Sequence, residues 1–380
     1  MLDAAWARGV AQRPSLDAEA IVAAASRRER ASPAPGPWRE RLDHLCAALE
    51  QEAQLNSLGR TIAHGQLVRI VAGRIRAERW IAICPKITKR PIAAPVVLVG
   101  QMRSGTTRMH RLLACDPGFA HTRLFETLDP VAYGRRFDRR PTSAIAAMAL
   151  VRRCNPALAA IHPSWPLAPE EEFGLHAFSL WGAQFEGQWS IPSFVARCEA
   201  AGSDEVGEVY AEFRMLLQLA EEVRALDPAR PWLLKAPQFC HDLDAMLGAF
   251  PDARIIRLER APERVVGSGA SLVWNQMRIQ SDCTDRVRIG VEWLRKTALR
   301  ERRLESSLAE VKHLAIDYDE VSSDWRGAVR RVYAFLGMPL RSEVEARMTR
   351  FVERSTAHRG HHYELKAFGL DEQTVRAALA

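Results

Sequence analysis

Four apolar runs stand far apart along this chain, and each is followed by residues of helical period. Val96 to Val99, Pro231 to Leu234, Ala253 to Leu258 and His313 to Ile316 are rich in β-branched and leucyl side chains. Short apolar runs without polar alternation read as strands buried on both faces, the pattern of a parallel sheet. Ahead of the first run, Leu16–Ser26, Trp38–Gln54 and Leu67–Ile81 predict helices, with a proline-broken linker at Ser32–Pro37. Met109, Leu112 and Leu113 begin a helix directly after the first strand, and Asp116-Pro117-Gly118 ends it. Residues 131–165 are arginine-rich and read as helical, and residues 170–225 continue mostly helical. Between them, Pro169-Glu170-Glu171-Glu172-Phe173 has the form of a helix start, with proline near the first position and acids in the first turn. Pro262 opens a further helix, and Arg330, Val332, Phe335 and Leu336 mark one after the last strand. Strands alternating with helices predict an α/β fold, a mainly parallel sheet flanked by helices. Residues 1–90 form an N-terminal helical cap, and residues 91–380 form the main domain.

The junction after the first strand carries the first candidate chemistry. It reads Gly100-Gln101-Met102-Arg103-Ser104-Gly105-Thr106-Thr107, two glycines bounding a loop that opens a helix. Loop amides and the helix dipole together cradle an anion. The spacing nearly matches the P-loop of nucleotide triphosphatases, which places Lys and then Ser or Thr after the second glycine. Here the Lys position is Thr106, and the nearby cation is Arg103, inside the loop. The cradle is P-loop-like and suits a phosphate-like group, but it is wired differently from an ATP site. In open α/β sheets ligands sit at the carboxyl ends of strands. Lys235 ends the second run there, followed by Ala236 and Pro237; Arg260 ends the third, and Ser268 lies two turns into the next helix. A lone arginine at a strand end is commonly an ion-pair partner, but beside one phosphate cradle it marks a second phosphate site.

Charge and cysteine usage narrow the class. The formal net charge is +7, and the cations are overwhelmingly arginine. That excess suits a phosphate-rich ligand or acidic acceptor. The basic residues are scattered, with no basic tail or reader motif, so nucleic acid is not the expected partner. The seven cysteines include no Cys-x-x-Cys pair, which argues against a zinc site or a disulfide framework and for a reducing cytoplasm. No secretory leader is visible around Asp3 and Arg8, and the longest apolar stretch, Ala144–Val151, is far short of a membrane span. The histidines of Ala357-His358-Arg359-Gly360-His361-His362-Tyr363 lack acid or cysteine partners at ligand spacing, so no metal is expected.

Taken together, these motifs resemble the sulfotransferases that use 3′-phosphoadenosine-5′-phosphosulfate (PAPS), in particular a bacterial branch related to the tyrosylprotein and heparan enzymes. That family's 5′-phosphosulfate loop, Gly-x-x-[Arg/Lys]-Ser-Gly-Thr-[Thr/Ser], is matched throughout residues 100–107. Its 3′-phosphate element, Arg-Asp-Pro with Ser eight positions after the Arg, becomes Arg260-Ala261-Pro262 with Ser268; the aspartate is replaced. Leu-Lys-x-Pro is present as Leu234–Pro237, and Tyr363–Leu370 is similar to the family's ending. The likeness runs from about residue 40 to the end.

The resemblance implies roles. Ser104, Gly105, Thr106, Thr107 and the loop amides hold the 5′-phosphate, and Arg260 and Ser268 hold the 3′-phosphate. Arg359 and Gly360 close over that same group. Arg103 and Lys235 stabilise charge that grows on the bridging oxygen as sulfonate leaves. The acceptor is a small molecule, lipid, glycan or peptide, taken by a pocket of the helical insertion at 131–225, and a homo-oligomer is compatible with the cap. Cytosolic members use a histidine two residues after the lysine, a position occupied here by Pro237. The tyrosylprotein branch instead places a glutamate some twenty residues after the loop, which makes Glu126 the expected general base. Its apolar neighbours are expected to raise its pKa; His121 and His162 are the reserves. Two rivals stay open at this stage: an ATP-using P-loop phosphotransferase, and a nucleotide-binding protein without catalysis.

Overall fold

The computed structural model describes residues 2–134, 138–156, 164–354 and 363–379. Four strands form one sheet: β1 (Val96–Val99), β2 (Leu233–Lys235), β3 (Arg254–Glu259) and β4 (His313–Asp317). They lie in the order β2-β1-β3-β4 and every pairing is parallel, with Val97 opposite both Leu234 and Ile255. Each short run is apolar because the sheet is covered on both sides. Val97, Val99, Leu234 and Ile255 face helices Ser203–Arg224 and Phe239–Ala249. Val96, Leu98, Leu233, Ile256 and Leu258 face helices Thr106–Leu113 and Trp325–Leu336. Successive strand residues point to opposite faces, so β1 is apolar throughout, while β3 admits Arg257, which pairs with Glu301 and Glu305.

The chain leaves β1 for β2 on one side, then crosses back to β3 and β4 on the other. Such a reversal opens a crevice at the carboxyl ends of the strands. The loop after β1, Lys235 at the end of β2 and Arg260 after β3 therefore converge there. The Tyr363–Leu370 segment returns to the same end. The Tyr363 hydroxyl donates to the Arg264 carbonyl at 3.1 Å, and Phe368 packs against helices Pro262–Gln280 and Arg286–Leu308.

The N-terminal helices are Ala18–Glu29, Trp38–Gln51 and Ser57–Ile83. The last begins well before the predicted Leu67, because Asn56 caps it by accepting the Gly59 N–H at 2.8 Å. Ile21, Leu42, Leu45, Leu67 and Val71 from these helices share one core with Phe185, Trp189 and Phe194. Phe185, Trp189 and Phe194 are thus packing residues that bind the cap to the main domain. Among the described residues, no helix is long and apolar enough to cross a membrane.

Candidate active site

Two glycines shape the loop leaving β1. Gly105 has φ of 97°, and a Cβ there would lie 2.5 Å from the Tyr318 ring. At Gly100, with φ of 154°, a Cβ would lie 2.6 Å from the Leu258 carbonyl oxygen. Only glycine combines that conformation with that proximity. The Gly100 N–H donates to Cys240 Sγ at 3.2 Å and the Ser104 N–H to the Gln101 carbonyl at 3.0 Å, which closes the turn. The Ser104 hydroxyl is buried inside the loop with no hydrogen-bond partner. A buried donor beside a helix N-terminus fits an anionic oxygen.

Cations gather around this loop. Arg103 Nε donates to Ser268 Oγ at 2.9 Å, and Arg260 Nη1 donates to the Arg103 carbonyl at 2.8 Å. The Arg260 guanidinium lies 4.0 Å from the centre of the Tyr318 ring. Burial and then the neighbouring Arg260 hold the Arg103 pKa below its ordinary value. Two like charges that lower one another's stability this way suit an anionic ligand. Lys235, 1 % exposed at the end of β2, donates from Nζ to Thr107 Oγ1 at 3.0 Å and pairs with Glu171. Glu171 also acts electrostatically on Arg103, so one carboxylate faces both cations. The structure thus joins Arg103, Ser104, Thr107, Lys235, Arg260 and Ser268 in one continuous site, with Gly105 and Thr106 forming the turn of its helix.

Glu171 and Glu172 were not singled out by the sequence, where the acidic triplet reads as a helix start with acids in its first turn. Both are buried instead. The signal was available in their flanks, since Ala168 and Phe173 to Phe178 make an apolar setting for three successive acids. Glu172 is fully buried, and its carboxyl bridges the Thr122 hydroxyl at 2.7 Å and the Lys235 N–H at 2.7 Å. Thr122 Oγ1 also lies 2.8 Å from the Glu170 carbonyl, and one hydroxyl proton cannot serve both acceptors. A protonated Glu172 resolves this by donating to Thr122, which then donates to Glu170. Burial indeed pushes the Glu172 pKa up from 4.5 to about 8. A raised carboxyl pKa contributes stability that is complete below 4.5 and is lost as pH climbs toward about 8. Glu172→Gln can make the same two bonds without a titrating proton. Its stability in urea is expected to be flatter than wild type between those limits and to exceed it at the alkaline end. Equal pH slopes would disprove the protonated assignment.

Glu126 is placed differently from the expectation. Its Oε2 accepts from the Arg123 N–H at 2.9 Å and Nε at 3.0 Å, its Oε1 accepts from Arg123 Nη2 at 2.6 Å, and Arg224 stands 3.5 Å away. Burial favours the neutral acid, but Arg123 and Arg224 outweigh it and hold the pKa below the ordinary value. The predicted rise is therefore corrected to a fall: the apolar sequence neighbours are overruled by arginines. Glu126 caps the short helix Leu124–Leu128. His121 belongs to the same cluster, its carbonyl accepting from Arg224 Nη1 at 2.8 Å, and burial with Arg224 lowers its pKa to about 4. Among the described residues, neither Glu126 nor His121 has a hydrogen bond or ion pair to the loop or Lys235. His162, Arg359 and Gly360 lie outside the described residues. No group of three or more His, Cys, Asp or Glu among the described residues is disposed to hold a metal ion.

With this geometry in view, relatives are informative. A sulfotransferase from Mycobacterium tuberculosis is 23 % identical, covering 97 % of this chain and 100 % of its own, with a TM-score of 0.83. A sulfotransferase from Mycobacterium avium is 20 % identical, covering 96 % and 95 %, with a TM-score of 0.85. At such identities the likeness establishes the shared α/β fold. No curated protein matches the chain by sequence. The sulfotransferase family profile matches residues 95–342, from the start of β1 past β4, and so takes in the loop, Lys235, Arg260 and Ser268. The chain belongs to the sulfotransferase family.

Proposed function

We propose that this sulfotransferase moves a sulfonate group from PAPS to a hydroxyl or amine of its acceptor. The observation that carries the reading is the convergence of the loop after β1, Lys235 and the Arg260–Ser268 pair on one crevice, linked through Arg103 and Thr107. PAPS, when bound, supplies the activated sulfonate. Ser104, Thr106, Thr107 and the loop amides hold the 5′-phosphate, and Arg260 with Ser268 holds the 3′-phosphate. Arg103 spans both positions, since its backbone lies in the loop and its side chain reaches Ser268. Lys235 stabilises the charge that develops on the bridging oxygen, where a preorganised cation acts more strongly on the transition state than on the ground state. Glu171, rather than Glu126, takes the acceptor proton. Its partner Lys235 stands between the loop residue Thr107 and this carboxylate, which puts the acid on the acceptor side of the lysine.

The test is calorimetry with adenosine 3′,5′-bisphosphate, 5′-AMP and ATP-Mg. Charge-assisted contacts contribute roughly 1.5–3 kcal/mol, so the bisphosphate is expected to bind about ten- to a hundredfold more tightly than 5′-AMP. Equal affinities, or a preference for ATP-Mg, would reject the assignment of Arg260 and Ser268.

A further inference from the structure

Helix Arg140–Cys154 lies on the surface with a bare apolar middle. Ile145 is 56 % exposed, Leu150 47 % and Val151 36 %, and Ala146, Ala147 and Ala149 are exposed beside them. Of this helix only Arg140 and Ala144 are buried. At 3.6 residues per turn these exposed positions wrap most of the way round the helix. A helix apolar on nearly every side is ordinarily covered, by a core or by lipid. Its apolar run, Ala144–Val151, is too short to cross a bilayer, which takes about 20 residues.

Both ends are anchored, so the bare middle is held in place. Arg140 Nη1 donates to the Asp129 and Pro130 carbonyls at 3.0 Å each, and its Nη2 to Asp138 Oδ2 at 2.8 Å. Just past the other end, Asn155 Nδ2 donates to the Asn275 carbonyl at 2.7 Å.

The surrounding charges select the cover. Arg152 and Arg153 close the helix, both exposed, and it contains no acid. The Asn155 bond sets this end against helix Pro262–Gln280, where Trp274 carries two guanidiniums: Arg278 at 4.7 Å from its ring centre and Arg286 at 3.9 Å. Among the described residues none of these four arginines enters an ion pair. The acids of the following connection are engaged by backbone and amide groups. Asp282 accepts from Asn56 Nδ2 at 2.9 Å, and Asp285 accepts from the Val287 and Arg288 N–H groups. Apolar surface, unpaired arginines and an indole match the interface of an anionic bilayer. A two-fold contact with a second copy would instead set the same arginines against each other, and each copy carries +7.

We propose that helix Arg140–Cys154 docks the enzyme on an anionic lipid surface. Its apolar middle enters the headgroup region, and Arg152, Arg153, Arg278 and Arg286 pair with lipid phosphates. Asn275 follows Ser268 on one helix, about 10 Å along its axis, so the docked face borders the Arg260–Ser268 pair.

The test sediments the full chain with vesicles of phosphatidylcholine alone or mixed with phosphatidylglycerol. Partitioning to the anionic vesicles is expected to be about tenfold or more higher, and to fall as salt rises. Arg152→Gln with Arg153→Gln should lower it by about tenfold, and Ile145→Gln with Leu150→Gln by as much or more. Both pairs replace exposed residues with a good helix former, so Tm and affinity for adenosine 3′,5′-bisphosphate should stay at wild-type values. A polarity-sensitive dye on exposed Cys154, in a Cys283→Ser background, should shift to the blue on anionic vesicles. Equal binding to the two vesicle types, binding that survives either pair of substitutions, or an unshifted dye would overturn the proposal. So would a dimer in light scattering that Leu150→Gln dissociates while vesicles stay unbound, since the helix would then pack on a second copy.

Discussion

Lys235→Ala is expected to lower kcat by about a hundred- to a thousandfold, the loss typical of removing one preorganised group from developing charge. Affinity for adenosine 3′,5′-bisphosphate should change little, because the lysine acts on charge that appears only during transfer. The expected effect is large because Lys235 ends β2 almost fully buried, where a cation is screened less than at the surface. Alanine also leaves Glu171 without its partner, so some loss of Tm accompanies the kinetic loss. Lys235→Met separates the two effects by keeping the volume and removing the charge. If alanine and methionine lose kcat equally, the charge is responsible. A raised Michaelis constant for the donor with kcat intact would show instead that Lys235 only binds.

Glu171→Gln is expected to lose about 10²–10⁴-fold in kcat, the contribution of a general base. Glutamine keeps the shape and cannot take the acceptor proton. Glu126→Gln should behave in the opposite way, with kcat near wild type and a lower Tm, since it leaves half-buried Arg123 and Arg224 with a weaker partner. The Glu126 pKa is depressed, so its stabilising share is present above the ordinary 4.5 and disappears as pH falls below it. The Tm gap between wild type and Glu126→Gln should therefore close toward acid pH. Paired measurement of kcat and Tm for both variants checks the assignment. Activity lost in Glu126→Gln and kept in Glu171→Gln would restore the sequence-based expectation.

These two glutamates show where reading residues in order stops. Glu126 stands among apolar residues and Glu171 inside an acidic triplet, so local composition favours Glu126 as the buried, functional acid. Their surroundings diverge because different cations reach them: Arg123 and Arg224 enclose Glu126, while Lys235 at the end of β2 meets Glu171. A pKa depends on charges within a few ångströms, and these arrive from residues remote in sequence. Phe185, Trp189 and Phe194 are a second case. Their spacing permits a pocket or a core, and contact with Ile21, Leu42 and Leu67 of the cap decides for core. Local physics was sufficient elsewhere. The strands were legible because burial on both faces leaves unbroken apolar runs, and the loop because its strand, glycines and helix start are contiguous. The carboxyl-end positions of Lys235 and Arg260 followed from the parallel sheet. The sequence by itself determined the strands, the glycine-bounded loop after β1 and the strand-end positions of Lys235 and Arg260, since each depends on neighbours along the chain. Only the tertiary structure decided which acid meets those cations, because that depends on contacts between segments far apart in sequence.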